Sequence, residues 1–227
     1  MGTSEPAGQF RTPAGGARRC NTGGPHRPSR FRLWRDLQRS GDIRRAWGLL
    51  GGFAPVGAVA VVLLLDGLSG TRAWPVPVLG LLDEPAHLLT AALLTAAVPW
   101  AEIRRGWRWI LMGSVLIDLD HVPLYTFAGD FSVGGRPPTH SLVTVLALLV
   151  AALAIPRARW PLIGLAGGCV LHFVRDLATG PGVALLWPIF QTPLRVQYPA
   201  HIALIALAAV WVSVKDVDRF CGGKAYP

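Results

Sequence analysis

The sequence predicts an all-α, polytopic membrane protein, a bundle of about six helices preceded by a disordered basic tail. Hydrophobic residues make up 52% of the 227 residues and charged residues only 15%, against roughly 25% charged in a typical soluble domain. From Trp47 onward, apolar runs alternate with short polar breaks, and most runs approach the roughly 20 residues that cross a bilayer as a helix. Residues 1–48, in contrast, hold ten of the 22 Lys and Arg residues.

The N-terminal tail, residues 1–47, is rich in Gly, Pro, Ser, Thr and Arg. This composition predicts disorder, with a short amphipathic helix around residues 31–47. The first apolar run begins near residue 48, too late for the core of a cleavable signal peptide. The net charge of +9 is mainly a property of this tail. We therefore expect the tail to contact anionic lipid headgroups rather than a specific nucleic acid.

A membrane helical domain is predicted over residues 48–216, followed by a short C-terminal tail, 217–227. Prolines lie at the polar breaks, where they begin or end helices. The second and fourth apolar runs leave open whether they cross fully or enter the bilayer only partly. The six predicted spans are 48–66, 79–98, 107–124, 141–156, 160–178 and 199–215.

The distribution of basic residues predicts the orientation of these spans. With a cytoplasmic N-terminus, eighteen of the 22 Lys and Arg residues fall on the cytoplasmic side and three on the outer side, while Arg175 lies within a span. Outside the tail the division is still eight to three. Cytoplasmic loops are enriched in Lys and Arg, so we expect both termini in the cytoplasm and a location in the inner or plasma membrane.

Asp and His residues gather at one predicted depth, towards the outer face. His172 and Asp176 are one helical turn apart and share a face. Asp118 and His121 share a face too, whereas Asp120 points away unless the helix deforms before Pro123. Intramembrane carboxylates and imidazoles are costly without a partner, and both are ligands of catalytic zinc. The predicted metal ligands are His87, Asp118, Asp120, His121, His140, His172 and Asp176.

Seven ligands exceed the need of one tetrahedral ion, so the sequence predicts one or two divalent ions, zinc first, with manganese and iron as alternatives. A bound ion activates water for nucleophilic attack. A carboxylate that the ion leaves free takes the proton, and Asp120 and Asp176, both in the predicted ligand set, are also the predicted catalytic carboxylates. Arg175 or Arg136 stabilises an anionic group.

Several of these residues have a structural interpretation as well. Asp118 or Asp176 can form a buried pair with Arg175 or a histidine. Asp83 and Glu84 precede Pro85 and suit the first turn of a helix. Further residues with structural interpretations are His201, at headgroup level; Cys169, as a packing residue; and Trp187, in the interfacial aromatic belt.

Several other classes of function are not expected, because the sequence lacks the motifs that they require. Cys20, Cys169 and Cys221 form no C-x-x-C pair, so neither a thiolate zinc site nor a disulfide framework is expected. The sequence has no G-x-S-x-G elbow, Walker loop, dinucleotide fingerprint or H-E-x-x-H motif. Two alternatives to a hydrolase stay open: an ion, proton or metal transporter that uses the same Asp/His cluster, and a non-catalytic membrane regulator.

Four motifs carry a resemblance to a known family. They are His87 early in a helix, the D-x-D-H of Asp118–His121, the T-H-S of Thr139–Ser141, and the H-x3-D-x2-T-x2-G-x4-W-P that runs from His172 to Pro188. In order and spacing the chain resembles the YdjM-like membrane-bound metal-dependent hydrolases, also described as LexA-binding inner-membrane proteins. The resemblance covers roughly residues 84–190, and the first span looks like an addition. It implies a polytopic hydrolase with a divalent metal, acting on phospholipid.

Overall fold

The computed structural model describes residues 41–121, 133 and 136–222. Its described part is helical, with isolated β-bridges but no strand, which confirms the all-α class. A 3-10 turn, Ile117–Asp120, continues the fifth helix, and another, Pro156–Ala158, precedes the seventh. The helices are α1 Ile43–Leu50, α2 Ala54–Ser69, α3 Val76–Ala97, α4 Ala101–Arg105, α5 Trp107–Leu116, α6 Leu142–Ala154, α7 Arg159–Asp176 and α8 Tyr198–Gly222.

Fewer helices than predicted are long and apolar enough to cross a membrane by themselves. Among the described residues, Pro77–Ala97 of α3 and Tyr198–Lys215 of α8 meet both conditions. The pair α1 and α2, bent by 89° at its break, makes a third span if it is counted as one. The other predicted runs do form helices, but α5 and α6 have only 10 and 13 residues, and α7 carries three charged residues near its ends.

The helix boundaries differ from the predicted ones at both termini. Helix α1 begins at Ile43, inside the predicted tail, and is separate from α2, which begins at Ala54 rather than near residue 48. Its Asp42 cap accepts a hydrogen bond from the Arg44 backbone, a local start signal that composition alone does not convey. The rest of the predicted tail, residues 1–40, lies outside the described residues. At the other terminus, α8 continues past residue 215 to Gly222.

Glycines allow α5 and α7 to pack with their backbones in close contact. A Cβ atom at Gly168 would lie 2.1 Å from the Ile110 carbonyl oxygen, and one at Gly113 would lie 2.3 Å from the Leu165 carbonyl oxygen. No side chain fits in such gaps. The close approach brings the Ser114 carbonyl of α5 to the His172 ring of α7, at 2.8 Å.

Two apolar clusters support the bundle. The larger one joins α1, α2, α3 and α8 through residues such as Trp47, Val62 and Leu93. The smaller one packs Ile117 and Cys169 with Phe173 and Val183, next to the Asp and His residues. Cys169 is a free, buried thiol in this cluster, which confirms its predicted packing role.

Candidate metal centre

The seven predicted ligands come together where α3, α5 and α7 meet the segment before α6. Helix α3 contributes His87, and the end of α7 contributes His172 and Asp176. The 3-10 turn after α5, together with the residue that follows it, contributes Asp118, Asp120 and His121. His140 lies just before α6. They divide into two groups whose candidate ligand atoms lie within 4.8 Å of one another: a deep cluster of His87, His172 and Asp176, and a rim cluster of Asp118, Asp120, His121 and His140.

The deep cluster is fully enclosed. All three of its side chains are 0% exposed. Asp176 Oδ2 lies 2.9 Å from His172 Nε2, and Asp176 Oδ1 lies 3.3 Å from His87 Nε2. The two imidazole rings stack with centroids 3.8 Å apart and an interplanar angle of 8°. Both Nε2 atoms therefore lie close to the same carboxylate.

The rim cluster is more open. Its Asp118 and Asp120 side chains are 13% and 18% exposed. His140 bridges them, with Nε2 3.0 Å from Asp118 Oδ1 and Nδ1 3.2 Å from Asp120 Oδ2. His121 Nδ1 lies 3.0 Å from Asp120 Oδ1. Asp120 thus joins the cluster, and it does so where the α-helix tightens into a 3-10 turn, the deformation that its inclusion requires.

Asp118 connects the two clusters. Its Oδ1 atom lies 3.4 Å from His172 Nε2 as well as 3.0 Å from His140 Nε2. His140 Nε2 is also 3.8 Å from Asp176 Oδ2. The seven side chains thus form one continuous polar site with a buried end and an accessible end.

The polar atoms of the deep cluster are the observation that points to a cation. His172 Nε2 and both ring nitrogens of His87 form no hydrogen bond. The Asp176 carboxylate also accepts none, although its Oδ1 atom forms an ion pair with Arg136 Nη2 at 2.8 Å. Buried polar atoms almost always have hydrogen-bond partners. Imidazole nitrogen and carboxylate oxygen are also the donors that zinc, manganese and iron accept, so the residues present fit a divalent ion.

A backbone contact orients one of these ligands. His172 Nδ1 lies 2.8 Å from the Ser114 carbonyl oxygen. A carbonyl only accepts, so this nitrogen carries the proton and Nε2 keeps its lone pair towards the cluster. Metal-binding histidines typically have such a partner on the second nitrogen.

His140 lies outside the helices, and its environment favours a positive charge. Burial by itself would lower its pKa, but the hydrogen bonds to Asp118 and Asp120 raise the pKa above its ordinary value. A cation at this point, whether a proton or a metal ion, is therefore favoured electrostatically.

The two candidate arginines have different partners. Arg136 Nη2 lies 2.8 Å from Asp176 Oδ1, and its Nε donates to the Gly182 carbonyl at 3.2 Å. Arg175 does not contact Asp176 through its guanidinium. Its Nη2 donates to Asp66 Oδ1 at 2.5 Å, and its Nη1 donates to Asp83. Of the two, Arg136 is the one in contact with the predicted ligands.

Sequence reasoning missed Asp66 and Asp83. Asp83 is not in a first turn, because α3 begins at Val76 and continues through Pro85. Its Oδ2 atom lies 3.4 Å from His87 Nε2, and its ligand atoms group with those of His87 and Asp118. Its four-residue spacing from His87 repeats that of His172 and Asp176 and was the available signal. The Glu84 side chain neighbours Asp118.

Asp66 extends this charged network to α2 and to the last helix, α8. Its Oδ2 atom accepts a hydrogen bond from the Tyr198 hydroxyl at 2.8 Å, while Oδ1 pairs with Arg175. His201, expected at headgroup level, is instead buried at 3% exposure, beside Tyr198. It belongs to neither cluster.

Comparison with known families decides the affiliation of the chain. The model of the YdjM inner membrane protein family matches residues 82–225, well over half of the sequence. The chain belongs to the YdjM inner membrane protein family. The match contains every residue of the two clusters, and it leaves out α1 and α2, as the sequence resemblance implies. YdjM membership and the apolar helices together make this a membrane protein.

No curated protein and no solved structure matches the chain.

Proposed function

We propose that the protein is an integral-membrane, metal-dependent hydrolase that acts on a lipid or lipid-linked ester or phosphoester. The observation that carries the proposal is the deep cluster, where imidazole nitrogens without hydrogen bonds face the carboxylate of Asp176 in a fully buried position. The open rim cluster beside it supplies access for a substrate. One or two divalent ions held in this site would lower the pKa of a water molecule towards neutrality and polarise an ester oxygen.

The chain's own residues divide the remaining work. His87, His172 and Asp176 would hold an ion at the buried end, and Asp118, His121 and His140 would extend the ligand set to the rim. Asp120 is the most exposed carboxylate among the seven predicted ligands, and Thr139 donates a hydrogen bond to it. We assign it the role of taking a proton from the attacking water.

Arg136 is assigned to the anionic part of the substrate. Its side chain is 11% exposed and its guanidinium lies against Asp176, so it can pair with phosphate or ester oxygens at the site. Arg175, predicted as a catalytic residue, keeps two carboxylates as partners and serves as a positioning residue.

A hydrolysis assay tests this function. Purified protein loaded with zinc is mixed with phospholipid vesicles and with a panel of soluble esters and phosphoesters, and product release is measured. We expect turnover by the native protein and a loss of roughly 10²–10⁴-fold in Asp120→Asn, with Asp42→Asn, at the opposite end of the bundle, as a control. Full activity in Asp120→Asn would refute its role. Metal binding without any turnover would favour a transporter or a regulator.

We also propose that the shorter helices cross the membrane, giving six spans with both termini cytoplasmic and the site towards the outer face. The uneven distribution of Lys and Arg supports this arrangement. In a variant without the native cysteines, Thr71→Cys should react in intact cells with an impermeant maleimide, and Ala158→Cys should not. The reverse labelling pattern would place the site on the cytoplasmic face.

A further inference from the structure

The segment between α7 and α8, residues 177–197, presents apolar side chains outside any helix. Leu186, Ile189 and Phe190 are 47%, 79% and 61% exposed. The segment contains no acidic residue, and Arg195 is its one charged residue. Contiguous exposed apolar surface of this kind marks a contact with a membrane, a ligand or another protein.

The segment is held in place rather than loosely attached. Val183 and Leu194 exchange backbone hydrogen bonds of 3.1 and 2.8 Å, and the Val196 amide donates to the Leu177 carbonyl at 2.6 Å. At the start of α6, the Leu142 amide donates to the Leu185 carbonyl at 2.9 Å. The exposed apolar side chains therefore belong to an ordered surface.

One side of this segment supports the metal centre. Val183 is 0% exposed and packs with Phe173, the neighbour of His172. The Gly182 carbonyl accepts from Arg136, which also contacts Asp176. The same short segment thus has a buried face against the site and an exposed apolar face a few residues later.

The position of the segment indicates what covers the exposed face. The segment leads directly into Tyr198, the first residue of the candidate span of α8. That span exposes large apolar residues such as Leu204 and Leu207 along its length, as a lipid-facing helix does. The segment leads into this span in sequence, and its contacts through Gly182 and Val183 place it at the end of the bundle that carries the candidate metal centre.

We propose that Leu186, Ile189 and Phe190 form an interfacial anchor that inserts at the headgroup level of the bilayer, so that a membrane lipid reaches the rim cluster directly from that leaflet. The substrate part of this inference rests on the proposed hydrolase function. It narrows the substrate from any ester or phosphoester to one embedded in the membrane. Aromatic and aliphatic side chains favour this interfacial region.

Spin labelling tests the anchor independently of activity. Single cysteines are placed at Ile189, Phe190, Leu207 and Thr71 in a variant without the native cysteines, and each protein is labelled with a nitroxide and reconstituted in liposomes. Collision rates with oxygen and with a water-soluble nickel chelate are measured. We expect positions 189 and 190 to resemble Leu207, which is 70% exposed on the α8 span, rather than the exposed polar Thr71. Labels at 189 and 190 that resemble Thr71, or that neither reagent reaches, would overturn the proposal; the latter result would indicate a protein partner.

A second measurement tests the substrate class. The Ile189→Ser/Phe190→Ser variant should lose vesicle hydrolysis several-fold but keep its metal content and its activity on a water-soluble short-chain analogue. Phe53→Ser, which changes a residue 88% exposed before α2, is the matched control and should behave as the native protein. Equal loss on both substrates would contradict lateral entry. If the native protein hydrolyses neither substrate, the hydrolase function fails, whereas the spin labels still decide the anchor.

Discussion

The two ends of the bundle bury charged side chains in different ways. At the end of α3, Arg44 donates hydrogen bonds to the carbonyl oxygens of Ala96, Ala97 and Val98. Arg104 pairs with Asp42 and donates to the carbonyl oxygens of Val98 and Pro99. At the metal-centre end, the His87 ring nitrogens and the His172 Nε2 atom face the Asp176 carboxylate and form no hydrogen bond.

This difference separates structural charges from functional ones. The carbonyls at a helix C-terminus have no partner within the helix, so the arginines at the α3 end complete the fold and need nothing else. In the deep cluster, Arg136 pairs with one oxygen of Asp176, but the ring nitrogens of His87 and the Nε2 atom of His172 form no hydrogen bond. The proposed metal ion would give these nitrogens a partner, and buried polar atoms without partners are destabilising.

The largest effect on stability is expected from a substitution of Arg175, which is buried at the metal-centre end and pairs with two carboxylates. Arg175→Met removes the buried cation that pairs with Asp66 and Asp83, whose side chains are 10% and 32% exposed. Breaking a buried pair costs about 3–5 kcal/mol, and the exposure of Asp83 places the expected loss at the lower end. Unfolding in detergent should show this loss. Arg195→Met, which removes an exposed arginine, should change stability little. Equal stability of the two variants would mean that the network of Arg175, Asp66, Asp83 and Tyr198 does not hold α2, α3, α7 and α8 together.

A smaller effect is expected where α5 meets α7. Gly168→Ala places a Cβ against the Ile110 carbonyl and should cost about 1–3 kcal/mol through overpacking, while separating Ser114 from His172. Gly167→Ala is the matched control, because its Cβ would lie 3.8 Å from the Ile110 side chain, an ordinary contact. Unfolding and metal content are measured for both. If Gly168→Ala binds metal and unfolds like Gly167→Ala, the close packing does not position the ligand.

The smallest effect is expected at the opposite end. Asp42→Ala removes the cap of α1 and a partner of Arg104, and helix caps typically contribute about 1 kcal/mol. Stability should fall by that amount and metal content should not change. Asp42→Asn keeps a capping side chain and should lie closer to the native protein. Loss of metal in Asp42→Ala would remove the distinction between the two ends.

Much of the site was predictable from local patterns. The spacing of His172 and Asp176 and the common depth of the other ligands predicted which side chains meet, and the structure brings all seven together. Two features depend on tertiary packing and could not be predicted. One is the partner choice of Arg175, which lies next to Asp176 in sequence but pairs with Asp66 and Asp83.

The other is the length of the helices. Hydropathy marks apolar runs but not where a helix tightens or bends. The 107–124 run was expected as one span, yet its α-helix ends at Leu116 and passes into a 3-10 turn that carries Asp118 and Asp120. Residues 122–124 lie outside the described part. At Pro85, a proline that usually begins a helix lies inside one, so Asp83 was assigned to a helix start.

Metal analysis of the purified protein tests the central claim most directly. Elemental analysis is made of the native protein, of a His172→Ala/Asp176→Ala variant, and of His201→Ala, which removes a buried histidine outside both clusters. The account predicts one or two equivalents of a divalent metal, zinc first, in the native protein and in His201→Ala, and a loss in the double variant. A native protein without bound metal, or a double variant with unchanged metal content, would contradict it.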